Sequence, residues 1–247
     1  MNLYGLIGYP LGHSFSKQYF TEKFVKENLS NCKFEAFPIE SINEFPALLI
    51  QNKNLKGLSV TIPYKETVLK FVDEISEEVK FIGASNSIKI SEGKLIAYNT
   101  DIIGFKESFI KLLQPHHTKA LILGTGGASK AVQYVLKNMG ISFLVVTRNN
   151  NLNEGEINYE MINDKLMNEY YVIINASPVG TSPNEDTCPQ IPYNLITVNH
   201  YLFDLVYKPA QTLFLKHGEQ KGAVIKNGFD MLIIQAEASW KIWNNII

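Results

Sequence analysis

Cysteine is scarce in this sequence. The 247 residues contain 2 cysteines, Cys32 and Cys188, which stand far apart and form no closely spaced pair. This usage is not that of a disulfide-rich secreted protein, and it offers no cysteine pair for a zinc site. We expect a reduced, intracellular protein in which each cysteine is a small packing residue.

Charge bias and long apolar runs are also absent. The sequence has 23 Lys and Arg against 24 Asp and Glu, a net charge of −1, so we expect no nucleic-acid partner. No stretch approaches the roughly 18 apolar residues that a transmembrane helix needs, and the first residues lack the features of a signal peptide. With 45% hydrophobic residues the chain can bury a core. These features predict a globular, cytoplasmic protein with no membrane partner.

Two signatures of catalysis are missing as well. No Gly-x-Ser-x-Gly elbow occurs, so a serine nucleophile is not expected. The histidines share no ligand spacing with one another or with the cysteines, so no metal site is predicted. The five histidines are His13, His116, His117, His200 and His217.

A glycine-rich turn is the most informative stretch that is present. A short apolar run ends at Leu123, the residues Gly124, Thr125, Gly126, Gly127 and Ala128 follow, and a helical pattern begins near Ser129. Strand, glycine turn and helix open a dinucleotide-binding βαβ unit, in which backbone N–H groups and the helix N-terminus hold a pyrophosphate. The third glycine of the usual motif is replaced by Ser129. The motif alone therefore leaves two interpretations open, a nucleotide-binding loop or a plain tight turn.

The next strand of this unit ends at Thr147 and Arg148. An acidic residue at this place binds the ribose 2′-hydroxyl of NAD, whereas an arginine accommodates the 2′-phosphate of NADP. No carboxylate occurs in Thr147-Arg148-Asn149. If the loop binds a dinucleotide, NADP(H) is favoured. The alternative is a solvated arginine that follows a strand.

The predicted elements form two α/β groups. Before the glycine turn, helical patterns follow the first three predicted strands, which favours a mainly parallel sheet. Strands are predicted there at 3–8, 34–39, 57–62, 86–90 and 94–98, the last two as a hairpin. Helices are predicted from Ser16 and at 41–51, 64–72 and 103–113. After the first strand and helix of the glycine-rich unit, strands are predicted at 142–146, 171–175, 200–206 and 223–225, helices at 212–220 and 228–247, and a surface loop at 149–156.

Polar residues stand near the strand ends of the first half. Thr61, Lys65 and Asp101 lie at or just after the ends of predicted strands, and ligands of parallel sheets bind outside the carboxyl ends of the strands. A lysine beside an aspartate can supply the proton that a ketone needs when a hydride reduces it. Each residue also has a plain structural explanation, as a helix cap, a strand residue or a solvated side chain. The full set is Ser14, Ser16, Thr61, Lys65, Asn86 and Asp101.

Eight segments, taken together and in order, resemble the shikimate dehydrogenase family along the whole chain. They are GHSFSK at 12–17, SVTIPYK at 59–65, GASNS at 83–87, YNTD at 98–101, GTGGAS at 124–129, NASPVG at 175–180, DLVYKP at 204–209 and GFDMLIIQA at 228–236. The resemblance implies two α/β domains around a cleft. The substrate domain would comprise residues 1–101 with 229–247, and a Rossmann-type NADP domain would comprise 102–228.

The resemblance also implies an activity. It predicts an oxidoreductase that acts on a CH–OH group, the reversible NADPH-dependent reduction of 3-dehydroshikimate to shikimate in chorismate and aromatic amino acid biosynthesis. The alternative within the family is a quinate/shikimate dehydrogenase that uses NAD or NADP. The expected partners are the small-molecule substrate and the cofactor, and both a monomer and a homodimer stay open.

The same resemblance implies roles for individual residues. Lys65 would be the catalytic acid or base, with Asp101 close to it. The substrate would be bound by Ser14, Ser16, Thr61, Asn86, Tyr207 and Gln235. The cofactor would be bound by Gly124, Thr125, Gly126, Gly127, Ala128, Thr147, Arg148, Leu205 and Gly228. Thr147 and Leu152 depart from the residues that the family often carries beside the 2′-phosphate, so the preference for NADP rests mostly on Arg148.

Overall fold

The computed structural model describes residues 1–11 and 15–246. The chain divides into two compact units. We call Met1–Thr100 with Ala236–Ile247 the N-terminal unit and Asp101–Gln235 the C-terminal unit. The domain bounds expected from the sequence, 1–101 with 229–247 and 102–228, stay a prediction.

The N-terminal unit is built on a mixed sheet. Its strand order among the described residues is β2-β1-β3-β5-β6-β4. The β1 strand is parallel to both β2 and β3, β4 is parallel to β6, and the β5–β6 hairpin is antiparallel, as the sequence predicted. The strands are β1 (Asn2–Gly8), β2 (Cys32–Pro38), β3 (Leu55–Val60), β4 (Glu74–Ile75), β5 (Ser87–Ser91) and β6 (Lys94–Tyr98).

Both faces of this sheet are covered because β1 alternates between two apolar clusters. Tyr4 and Leu6 pack with aromatic residues of the first and last helices, such as Phe20 and Trp240. Leu3 belongs to the opposite cluster, together with Phe45 and Leu48. The helices of this unit are α1 (Phe15–Lys26), α2 (Phe45–Gln51) and α3 (Glu77–Ile82), with 3₁₀ turns at Ile42–Glu44 and Thr67–Phe71.

One helix prediction in this unit was wrong. Residues 64–72 carry apolar side chains at helical spacing, but only a 3₁₀ turn forms at Thr67–Phe71. The spacing arises because Tyr64 and Val68 are both buried in the core, where the Tyr64 hydroxyl donates to the Ile39 carbonyl at 2.6 Å. The short helix α3, which was not predicted, ends at Gly83 in the left-handed conformation.

The C-terminal unit has a fully parallel sheet in the described residues, with strand order β12-β11-β10-β7-β8-β9. The order reverses between β7 and β10, the arrangement of a doubly wound dinucleotide-binding domain. The predicted α/β fold class, with a Rossmann-type second domain, is confirmed. The strands are β7 (Lys119–Leu123), β8 (Ser142–Thr147), β9 (Glu156–Asn158), β10 (Val172–Asn175), β11 (Tyr201–Asp204) and β12 (Val224–Lys226).

The predicted helices of this half of the chain form with small shifts at their ends, and one four-residue helix, Asp164–Met167, was not predicted. The glycine-loop helix begins at Gly127, two residues earlier than expected, with Gly126 at its N-cap. A three-residue strand, β9, begins at Glu156, the last residue of the polar stretch that was predicted as a surface loop. No helix in the described part of the chain has the length and apolar character needed to cross a membrane. The helices are α4 (Asp101–Phe109), α5 (Gly127–Asn138), α6 (Asp164–Met167), α7 (Leu213–Gln220) and α8 (Phe229–Trp243), and α8 runs through the division between Gln235 and Ala236.

Candidate active site

Backbone hydrogen bonds hold each of three predicted site residues, Thr61, Lys65 and Asn86, in the N-terminal unit. Thr61 follows β3, and its N–H donates to the Ile7 carbonyl at 3.0 Å. The Lys65 carbonyl accepts from the Ser85 N–H at 2.7 Å. Asn86 follows Ser85, and its carbonyl accepts from the Val60 N–H at 2.8 Å. The residues on either side of Thr61 are therefore tied to the segment that carries Asn86.

The Asn86 side chain is buried and held by Thr100. Its Nδ2 donates to Thr100 Oγ1 at 3.0 Å, and its Oδ1 accepts from the Thr100 N–H at 2.7 Å. The Thr100 hydroxyl also lies 3.0 Å from the Ser239 hydroxyl. Buried polar groups are stable when they are hydrogen-bonded to each other, so this set fixes the orientation of the Asn86 amide. Sequence reasoning did not single out Thr100 or Ser239 for this role.

The serine pair predicted for the substrate is only partly described. Ser16 lies in the first turn of α1 and is half-buried. Ser14 lies outside the described residues.

Asp101 and Gln235 belong to the C-terminal unit, where α4 and α8 pack closely. Asp101 is buried and is the first residue of α4. A Cβ at Gly104 would lie 2.6 Å from the Met231 carbonyl oxygen and 3.0 Å from Gln235 Cβ, so glycine permits this approach of the two helices. The Gln235 amide donates to the Leu232 carbonyl at 2.8 Å. The predicted convergence of Asp101 and Gln235 with Lys65 stays a prediction.

The glycine loop connects β7 to the N-terminus of α5. Gly124 has a φ of +114°, a conformation that favours glycine, and a Cβ there would lie 3.2 Å from the Ala176 carbonyl oxygen. A Cβ at Gly126 would meet no atom within 4 Å, and Thr125 and Gly126 are exposed. The first N–H groups of a helix lack partners within the helix and attract anions, so this loop can hold a pyrophosphate.

Thr147 ends β8, the neighbour of β7 in the sheet, and Arg148 follows it. Thr147 is buried, and its hydroxyl oxygen accepts from the Asn149 N–H at 3.1 Å. Arg148 is exposed. Burial raises the pKa of the nearby Tyr159 phenol, and the positive charge of Arg148 opposes that rise. The loop after β8 therefore presents an exposed guanidinium, which suits a phosphate.

The segment after β11 carries two further predicted residues, Leu205 and Tyr207, and packs against Gly228. A Cβ at Gly228 would lie 2.2 Å from the Leu205 carbonyl oxygen, so only glycine fits there. The Gly228 N–H donates to the Val206 carbonyl at 3.2 Å. Burial raises the pKa of the Tyr207 phenol above its ordinary value. Tyr207 is half-buried.

Asp204 was not predicted as a site residue, although it stands at the end of β11. Its side chain is fully buried and accepts from Asn175 Nδ2 at 2.9 Å, from the Val206 N–H at 3.0 Å and from the Thr212 hydroxyl at 2.6 Å. Burial raises its pKa to about 6, while the three donors act in the opposite direction. The available signal was an aspartate that ends an apolar strand, Tyr201–Asp204.

The glycine loop, the reversal of strand order and the exposed arginine together define the C-terminal unit as a dinucleotide-binding domain of the kind found in NADP-dependent oxidoreductases. Residues 6–88 match the family model of the shikimate dehydrogenase substrate binding domain. This match places a substrate-binding domain in the N-terminal half of the chain.

Curated relatives extend this likeness over nearly the whole chain. The sequence is 36% identical to "Shikimate dehydrogenase (NADP(+))" of Carboxydothermus hydrogenoformans, over 99% of this chain and 92% of that protein. It is 37% identical to the protein of the same name from Caldicellulosiruptor bescii, over 98% and 89%. The crystal structure of shikimate 5-dehydrogenase from Thermus thermophilus, in complex with NADP(H) and shikimate, superposes with a TM-score of 0.87 at 27% identity and covers 99% of this chain and 94% of that one. The chain belongs to the shikimate dehydrogenase family.

Proposed function

We propose that this protein is an NADP-dependent shikimate dehydrogenase, which reversibly reduces 3-dehydroshikimate to shikimate in chorismate and aromatic amino acid biosynthesis. The observation that carries the proposal is the match to relatives named "Shikimate dehydrogenase (NADP(+))" over 98–99% of the chain. The matched region includes both Lys65 and the glycine loop. The proposal places the protein in the cytoplasm, as a monomer or a homodimer.

Lys65 is the proposed acid–base residue. NADPH, when bound, supplies the hydride that reduces the ketone carbon. The Lys65 ammonium donates a proton to the carbonyl oxygen as negative charge develops on it, and in the oxidation direction the neutral amine accepts that proton. Asp101 is proposed to hydrogen-bond to the substrate near this oxygen. The hydrogen bond from Ser85 to the Lys65 carbonyl supports this role, because it fixes the backbone from which the side chain extends.

Shikimate is a polyhydroxylated carboxylic acid, and the remaining polar residues suit its groups. Ser14 and Ser16 are proposed to bind the carboxylate. A site that hydrogen-bonds each hydroxyl rejects analogues that leave its polar groups unpaired. For the ring hydroxyls we propose Thr61, Asn86 and Gln235, with Tyr207 close by.

The cofactor is proposed to bind along the carboxyl ends of β7, β8 and β11. Gly124, Thr125, Gly126, Gly127 and Ala128 would hold the pyrophosphate at the N-terminus of α5. Arg148, with Thr147 beside it, would bind the 2′-phosphate, and Leu205 and Gly228 would border the nicotinamide.

A spectrophotometric assay of the purified protein tests the proposal. Shikimate and quinate are each supplied with NADP or NAD, and kcat/KM is compared for the four combinations. We expect the highest value for shikimate with NADP. Comparable values for quinate or for NAD would favour the alternative, a quinate/shikimate dehydrogenase with dual cofactor use, and no turnover in any combination would refute both.

The lysine is tested by substitution. Lys65→Ala should lower kcat by roughly a hundredfold or more, the scale of positioned acid–base catalysis. Lys70→Ala is the matched control, because Lys70 is an exposed lysine of the 3₁₀ turn just beyond Lys65. An undiminished kcat for Lys65→Ala would contradict the assignment.

A further inference from the structure

The segment that follows β11 is held in place by its neighbours. The Leu205 N–H donates to the Asn175 carbonyl at 2.9 Å. The Val206 N–H donates to Asp204 Oδ1 at 3.0 Å. Leu205 and Tyr207 are the residues that the proposed function assigns to the nicotinamide and the substrate. The position of their backbone therefore depends on Asp204 and Asn175.

Asp204 is costly to keep at this place. It is fully buried, and a buried carboxylate destabilises a fold unless hydrogen bonds replace its hydration. Three donors do so here: Asn175 and Val206 reach Oδ1, and the Thr212 hydroxyl reaches Oδ2 at 2.6 Å. Thr212 is also the N-cap of α7, so the carboxylate joins the end of β11 to the start of that helix.

The amide of Asn175 extends this network to the loop after β10. Its Oδ1 accepts from the Ser177 N–H at 3.1 Å and from the Ser177 hydroxyl at 2.6 Å. Its Nδ2 donates to the Val179 carbonyl at 3.2 Å as well as to Asp204. Ala176, which lies between Asn175 and Ser177 in the sequence, has its carbonyl oxygen 3.2 Å from the place that a Cβ of Gly124 would occupy. The three loops that follow β7, β10 and β11 are thus connected.

We propose that Asp204 is a positioning residue, which holds residues 205–207 in register with the glycine loop so that the nicotinamide meets the substrate carbon correctly. The inference rests on the proposed function and adds a residue outside its predicted site. It predicts that loss of the carboxylate impairs hydride transfer more than cofactor binding. The reason is that the proposed phosphate contacts lie on the loops after β7 and β8, whereas the hydrogen bonds described for Asp204 go to Asn175, Val206 and Thr212.

Two substitutions remove parts of the network without a large change in volume. Asp204→Asn keeps an oxygen for Val206 but loses the charge, and Thr212→Val removes the hydroxyl donor. We expect each to lower kcat about tenfold, since small misplacements of reacting groups have large effects on rate. The KM for NADP should stay within about twofold of the wild-type value, because the proposed phosphate contacts lie on other loops. Thr212→Ser, which retains the hydroxyl, should restore the wild-type rate.

The deuterium isotope effect separates positioning from simple loss of stability. Ketone reduction with NADPH deuterated at the transferred position should show a larger isotope effect on kcat in Asp204→Asn and Thr212→Val, because hydride transfer becomes more rate-limiting. His200→Gln is the control, since it breaks buried hydrogen bonds just before β11, at the opposite end of the strand. It should lower stability and leave kcat and the isotope effect unchanged.

Two results would overturn the proposal. The first is that Asp204→Asn and Thr212→Val lose stability, as the His200→Gln control does, but keep the wild-type kcat and isotope effect. The other is unchanged amide hydrogen exchange at residues 205–208 in Asp204→Asn, where we expect faster exchange. The exchange experiment requires no turnover, so it tests the positioning role even if the wild-type protein fails to oxidise shikimate, a failure that would refute the proposed function instead.

Discussion

Gly228→Ala tests how closely the start of α8 approaches the segment after β11. The added Cβ would lie 2.2 Å from the Leu205 carbonyl oxygen, 2.7 Å from its carbon and 3.2 Å from the Asp204 carbonyl oxygen. Carbon and oxygen atoms are ordinarily no closer than about 3.3 Å, so the Leu205 carbonyl must withdraw by about 1 Å. All three contacts are with backbone atoms, which cannot rotate away as a side chain could.

The size of the effect follows from this displacement. Overpacking of this kind costs about 1–3 kcal/mol of folding free energy. A shift of about 1 Å in a positioned group can lower a rate about a hundredfold. We therefore expect Gly228→Ala to reduce the free energy of unfolding by about 1–3 kcal/mol. Because Leu205 is proposed to border the nicotinamide, we also expect kcat for shikimate oxidation to fall about a hundredfold.

The assay combines urea unfolding of the apoprotein with steady-state kinetics, and Gly126→Ala provides the contrast. Gly126 has a φ of −72°, which alanine adopts, and the space around its Cβ position is open. The free energy of unfolding of the Gly126→Ala apoprotein should fall by no more than about 1 kcal/mol, which is the preference for glycine over alanine at an N-cap. Its affinity for NADPH should fall, because the methyl group meets the pyrophosphate. Wild-type stability and kcat in Gly228→Ala would refute the packing argument.

Further predictions concern the cofactor, the core and pH. Arg148→Ala should raise the KM for NADP by about tenfold or more and that for NAD much less, since a hydrogen bond to a charged group contributes about 1.5–3 kcal/mol; equal losses would contradict the phosphate role. Asn86→Ala should reduce the urea-unfolding free energy by about 1–3 kcal/mol, because it removes the acceptor of the buried Thr100 N–H. Burial lowers the pKa of His200, so below about pH 6.5 the unfolded chain binds more protons and wild-type stability should fall more steeply than that of His200→Gln. Asp204, with its pKa raised to about 6, has the opposite effect on stability below pH 6. The measurement is therefore the difference in stability between wild type and His200→Gln, taken at about pH 7.5 and at about pH 5.5.

The regular parts of both sheets could be predicted because their signals are local. Runs such as Ala120 to Leu123 are apolar throughout, which is typical of strands that are buried on both faces. The turn residues at Glu92-Gly93 predicted the β5–β6 hairpin. The strands β4 and β9 were missed because two or three residues are too few to show a period. Residues 64–72 failed for another reason, since tertiary contacts of Tyr64 and Val68 imitate helical spacing.

The site was predicted unevenly for a physical reason. Residues proposed to touch a ligand stand in strand-end or glycine-rich motifs, which a single sequence displays. Residues that orient those groups are visible only through long-range contacts, such as Asp204 with Asn175 or Thr100 with the predicted site residue Asn86. In sequence each is simply a polar residue near the end of an apolar run.

Burial distinguishes the residues of these two pairs from solvated polar residues. Asn86, Thr100, Asn175 and Asp204 are each at most 3% exposed, and each is hydrogen-bonded to another of the set. A buried polar group destabilises the fold when its partner is lost, so each pair favours one arrangement of the two segments that carry it. In the N-terminal unit the Asn86–Thr100 pair joins the segment before β5 to the segment after β6, and Ser85, next to Asn86, bonds to the Lys65 carbonyl. In the C-terminal unit the Asn175–Asp204 pair joins the ends of β10 and β11. Each unit therefore fixes the backbone of its own proposed reactive segment with a buried polar pair, and a variant that breaks one pair should alter the readout of that unit alone: shikimate KM for Asn86, hydride transfer for Asp204.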